Sequence, residues 1–288
     1  IGGAVTNAGD LILTGGTLTK GVTGAGTTSI TGAVTANSAI SQTISISSSG
    51  DLTANAGNIG GAVTNAGDLI LTGGTLSKAV SGAGLTTITG NTTNSGGINQ
   101  GVKVNSGITL TNNAALGSAS GSVTNAGTIN SSADNIKGTV SNTGSLNLSG
   151  GTLSKAVSGS GKTTISGNTT NSGGINQGVT VNSGVTLTNN AALGSDSGTI
   201  TNSGTINTNA SNIKGTVANN NTLNLSGGTL SKAVSGAGTT NITGAVTSNS
   251  AISQAINVVA AGDLTINANN IGGAVTNAGD LILTGGTL

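Results

Sequence analysis

An eighteen-residue block, IGGAVTNAGDLILTGGTL, occurs three times without a change, at 1–18, 59–76 and 271–288 of this 288-residue chain. Shorter blocks fill the intervals: GGTLSKAV at 73–80, 150–157 and 227–234, and NTTNSGGINQGV at 91–102 and 168–179. A unit this short cannot bury its own apolar face, and it becomes stable only by stacking on its neighbours. That requirement constrains the fold more than any other feature of the chain.

The blocks divide into short units, each opened by a β-branched residue: Val5, Val22, Ile46, Val63, Val80, Val104, Val123, Val140, Val157, Val181, Ile200, Val217, Val234, Val258 and Val275. Most steps between openers are 17 residues; the steps that begin at Val22, Val80, Val157 and Val234 are 24. In the 17-residue units, offsets six and thirteen are always Leu or Ile, as in Leu69 with Leu76 and Ile129 with Ile136. The connections, N-A-G-D, T-G-G and S-K-A, are turn chemistry. Strand segments of three or four residues with alternating side chains, separated by such corners, predict a coil with three short strands. Stacked coils make an all-β fold, a parallel β-helix of about 15 coils of 17–24 residues. The expectation is one continuous solenoid over 1–288, a rod of about 70 Å at ~4.8 Å per coil.

Composition agrees with a narrow stacked core. The chain has no Phe, Trp, Tyr, Pro, Cys, Met, His, Arg or Glu, and 52 of its residues are Gly. A lumen two or three side chains wide is filled by ladders of Val, Ile, Leu and Ala. An aromatic ring in one rung would need space its neighbours do not leave. Proline would remove a ladder donor from a strand paired on both edges. The same absences exclude Cys/His zinc sites, a Ser-His-Asp triad, disulfides, base-stacking platforms and bidentate phosphate forks. A net charge of +1 leaves no footprint for nucleic acid, and no apolar run is long enough to span a bilayer. No cofactor is expected.

Lys20, Lys78, Lys155 and Lys232 test the register. Each stands fifteen after an opener, between two apolar positions, where strict alternation would send its ammonium into the core. A corner must fall there and turn the lysines outward. The 24-residue units should carry their seven extra residues as protrusions along one side. Their residues Gln42, Asn91, Gln100, Asn168, Gln177 and Gln254 are therefore candidate contact-loop residues, against the favoured alternative of a tolerated bulge or a longer strand on one face. Asp51 with Asp68, and Asp263 with Asp280, come from consecutive coils and are weak candidates for Ca²⁺; solvated turn aspartates are the favoured reading. Asparagines two after an opener, notably Asn125 with Asn142 and Asn202 with Asn219, are placed to form amide ladders at a corner.

The segment V-T-N-A-G-D-L-I-L at 5–13, 63–71 and 275–283 resembles the repeats of filamentous haemagglutinins and autotransporter passenger domains. V-T-N-A-G-T-I at 123–129 and I-T-N-S-G-T-I at 200–206 fit the same template. The resemblance implies a right-handed β-helix on the bacterial cell surface or secreted from it, used in adhesion or cell–cell contact. The expected function is the non-catalytic shaft of an extracellular fibre or adhesin. Expected partners are copies of itself, end to end or laterally, and a host or neighbouring-cell receptor or glycan. Neither end carries a polar cap of the kind repeat arrays normally need, which suggests part of a longer array. The alternatives are a functional amyloid, an ice-binding solenoid presenting Thr-x-Thr rungs (Thr87–Thr89, Thr109–Thr111, Thr186–Thr188) and, least favoured, a polysaccharide-active β-helical enzyme.

Overall fold

The computed structural model describes residues 3–287. It divides the chain into two compact units, 1–146 and 147–288. Each is a parallel β-solenoid, and together they comprise about 16 turns.

In the first unit the strands fall on three sides, visited in rotation. The first side begins with Val5, Val22, Ile40 and Ile59 in register. The second is the ladder Leu11, Thr28, Ile44, Val63, Val80, Ile98, Leu116 and Ile136. The third is Gly16, Val34, Leu52, Leu69, Thr86, Val102, Val123 and Val140. Strands such as Asp51–Ala54 and Thr43–Ile46 bury alternate residues, so the apolar set of each side meets the other two in the lumen. Leu52, Leu69, Leu71, Leu76 and Ile88 are wholly excluded from solvent.

The second unit repeats this plan. One side stacks Leu187, Ile206, Leu223, Thr240, Ile256 and Val275. A second stacks Thr163, Val179, Ile200, Val217, Val234, Ile252 and Ile271. The third carries Gly228, Val246, Leu264 and Leu281.

The expected coil lengths need correction. Among the described residues no coil has 24: along the second side of the first unit the steps are 17, 16, 19, 17, 18, 18 and 20. Val22 stacks on Ile40 rather than Ile46, and Val63 stacks on Ile44, leaving Ile46 opposite Asn65. One side of a three-sided coil uses about a third of it. The seven extra residues of a long unit therefore build one more side instead of a loop. As a result the repeat turns: Val5 opens its unit on the first side, Val63 on the second and Val123 on the third. The same local sequence is compatible with all three sides because each presents the same alternation to the same kind of neighbour.

Two different constraints make the corners glycine-rich. In T-G-G and S-G-G the backbone is left-handed, as at Gly73 (φ 125°) and Gly74 (φ 91°), a region no non-glycine residue of the described chain enters. In N-A-G-D no positive φ is involved. A Cβ on Gly67 would instead lie 2.2 Å from the Gly50 carbonyl oxygen and 2.3 Å from that of Ser47, in the coil below. Where T-G-G is replaced, a one-turn 3₁₀ helix leads into the next side: Ala56–Asn58 into Ile59 on the first side, with the Asn55 side chain accepting from the Gly57 N–H, and Ala133–Asn135 into Ile136 on the second.

Candidate functional site

The lysine test comes out as the register requires. Lys20 and Lys78 are exposed, and Lys155 and Lys232 are half-buried at the surface. Lys232 reaches the exposed Asp196 carboxylate, and this hydrogen bond, then the lysine charge, holds the Asp196 carboxyl below its ordinary range.

The four glutamines do not protrude. Gln42, Gln100, Gln177 and Gln254 are only 3, 1, 1 and 4 % exposed. They follow from the added side: the backbone that the extra residues build keeps the alternation, and the glutamine faces inward, within Ile98–Val104 and Ile175–Val181 and one residue before Thr43–Ile46 and Ala255–Val258. Each meets a threonine fourteen residues earlier, itself fully buried. Gln100 Nε2 donates to Thr86 Oγ1 at 2.8 Å, Gln177 to Thr163 at 2.6 Å and Gln254 to Thr240 at 2.7 Å. In the fourth case Thr28 Oγ1 donates to Gln42 Oε1 at 2.9 Å, and Gln42 Nε2 donates to the Asn7 carbonyl at 2.7 Å. Each threonine occupies offset six of a long unit, where every 17-residue unit has Leu or Ile. That substitution, paired with the only glutamines of the chain, is the sequence signal for the turn of the repeat, and sequence reasoning missed it.

Asn91 and Asn168 do lie at the surface, but their side chains are engaged. Asn91 Oδ1 accepts from the Thr109 N–H and Asn168 Oδ1 from the Thr186 N–H, both at 2.9 Å and both one coil on. The aspartates stack as expected, Asp51 beside Asp68 and Asp263 beside Asp280, all exposed. Among the described residues no third acidic side chain joins either pair. Of the threonine triplets, Thr87 lies on the third side of the first unit and Thr109–Asn112 on the first. The outward column through Thr87 reads Thr17, Thr35, Thr53, Ile70, Thr87, Lys103 and Thr124.

The asparagine pairs form the expected ladders, wholly buried at a corner. Asn125 Nδ2 donates to Asn142 Oδ1 and Asn202 Nδ2 to Asn219 Oδ1, each at 2.7 Å. Asn202 also donates to the Thr222 carbonyl at 2.8 Å and accepts from the Gly204 N–H at 3.1 Å, so the amide closes the corner. Buried polar groups satisfied in this way lock a geometry without reacting with anything.

A second kind of asparagine row lies on the outer surface of the second unit. Thr188, Asn207, Asn224, Asn241 and Asn257 occupy one outward column of adjacent strands. Asn224 donates to Asn207 at 2.7 Å, Asn241 to Asn224 at 2.7 Å and Asn257 to Asn241 at 3.1 Å. The column forms one wall of a groove of about 750 Å³. The other wall is the corner column Asn190, Asn209, Ser226, Thr243 and Val259. No charged side chain lines it. The signal was present in the sequence as asparagine seven after an opener, at Asn207, Asn224 and Asn241.

Comparison with family models, with curated proteins and with solved structures found no match to this chain. The likeness to filamentous haemagglutinin repeats therefore rests on the repeat pattern and the solenoid fold. Among the described residues no helix is long and apolar enough to cross a membrane.

Proposed function

We propose that this chain is a length of non-catalytic shaft from an extracellular or bacterial cell-surface fibre or adhesin of the filamentous haemagglutinin or autotransporter passenger type. The observation that carries the reading is the turning repeat. Identical segments opening at Val5 and Val63 fit different sides of one unit without loss of the apolar ladder. A sequence that can be reused on any side can be extended by duplication, and nearest-neighbour stacking supplies its stability at any length. A chain made of Ala, Val, Ile, Leu, Gly, Ser, Thr and Asn, with four Gln and 15 charged residues in 288, supplies rungs and corners and few reactive groups. Lateral or end-to-end contact with further copies belongs to this reading.

Immunogold labelling of the source cells with antibody to this chain tests the proposal, combined with mild protease treatment of intact cells. Label on surface filaments that is lost after the protease is the expected result. Label confined to the cell interior, and insensitive to external protease, overturns it.

A further inference from the structure

We propose that the asparagine-walled groove of the second unit is a binding site for an extended, neutral glycan chain. The proposal concerns a surface, and it stands whether or not the molecule is a fibre shaft.

The chemistry of the wall sets the class of ligand. A carboxamide has two N–H donors and two acceptor lone pairs. The row takes one donor from each of Asn224 and Asn241, and Asn207 donates none of its side-chain N–H groups within it. Each of these amides therefore keeps at least one N–H and one lone pair for the groove. A donor and an acceptor presented side by side match a vicinal diol, in which one hydroxyl accepts while the next donates. With no charged residue on either wall, an anionic or cationic polymer would find no counter-charge. With Val259 the only lining residue that has a wholly apolar side chain, an apolar peptide face would bury little surface there.

Spacing and rigidity point the same way. The amides repeat once per coil, ~4.8 Å apart. This is close to the advance per sugar of an extended β-linked pyranose chain, so successive residues of one glycan meet successive asparagines. Amide-to-amide bonds already fix the side-chain rotamers, so little entropy is lost on binding. No aromatic platform is available in this chain, and each contact is an exchange of water for hydroxyl; the affinity of one groove is accordingly modest.

The test uses the full chain, titrated with cellohexaose, xylohexaose and mannohexaose. Binding is followed by calorimetry and by the side-chain amide resonances of the asparagines. We expect saturable binding of at least one of the three, insensitive to added salt, with shifts confined to Asn207, Asn224, Asn241 and Asn257. The double variant Asn224→Leu/Asn241→Leu should lower the association constant about tenfold or more. The variant Asn224→Thr/Asn241→Thr, which keeps a strand-forming polar residue, should also lose most of the binding if the leucine protein does not fold. Three results would overturn the proposal: no shift with any of the hexasaccharides, tighter and salt-sensitive binding of a heparin hexasaccharide, or self-association that the same variants abolish.

Discussion

Two rows of asparagine in the second unit do opposite work with the same side chain. In the buried pair Asn202–Asn219, the Asn202 amide donates both N–H groups and accepts a backbone N–H, all within the corner. In the outer row the same amide-to-amide bond, 2.7 Å between Asn224 and Asn207, leaves the remaining valences facing a groove. The difference is which face of the coil the residue occupies. Inside, a polar atom left without a protein partner is costly because no water replaces it. Outside, the coil spacing organises the amides, and water or a ligand completes them. The buried row is therefore a fastening, and the outer row is a surface.

The comparison breaks most readily at the fastening. Asn202→Leu should destabilise the protein by about 2–4 kcal/mol, because Asn219 Oδ1, the Gly204 N–H and the Thr222 carbonyl each lose the hydrogen bond they make with Asn202 in the core. Urea denaturation, with the midpoint falling at constant slope, is the measurement. If the melt is unchanged, the corner amides are not holding the coils.

A smaller effect is expected from the threonine–glutamine pairs, and it separates pairing from burial. Gln100→Leu leaves Thr86, fully buried, without the 2.8 Å donor it has from Gln100, at a cost of about 1–3 kcal/mol. Combining it with Thr86→Val should recover a large part of the loss, since replacing both partners by apolar groups removes the acceptor together with its donor. Additive losses in the cycle would mean that the two side chains contribute independently and that the hydrogen bond between them carries little.

The smallest stability effect belongs to the outer row. Asn224→Thr should change the unfolding free energy by less than about 0.5 kcal/mol, as for surface substitutions away from special backbone positions. A loss comparable to that of Asn202→Leu would erase the distinction between the two rows, and thermal melts of the two variants side by side decide it.

Much of this molecule was legible in its residues. Alternation within three- and four-residue segments, with Leu or Ile at offsets six and thirteen, located Leu52, Leu69 and Leu76 in the core, where they are 0 % exposed. The lysine at offset fifteen placed a corner correctly. Asn125 with Asn142 and Asn202 with Asn219 were legible because residues 17 apart must meet one coil later when the unit is 17 long. The inward glutamines were not legible, since an insertion can be read as a loop, a bulge or a longer strand until it is known to be the length of one side. The groove escaped for a related reason: its second wall, Asn190, Asn209, Ser226, Thr243 and Val259, has no shared residue type to mark it.

From the sequence alone came the architecture: a reduced alphabet of small β-branched and apolar residues, repeated at coil length, has no way to become stable except by stacking. The tertiary structure alone decided the angular position of each unit. Counting residues measures distance along the chain, whereas the side on which Val63 falls depends on how many corners the chain has turned between Val22 and Ile59. Only packed coils record that number, because each side is held by ladder bonds to the coils above and below it, and those bonds are not between neighbours in sequence.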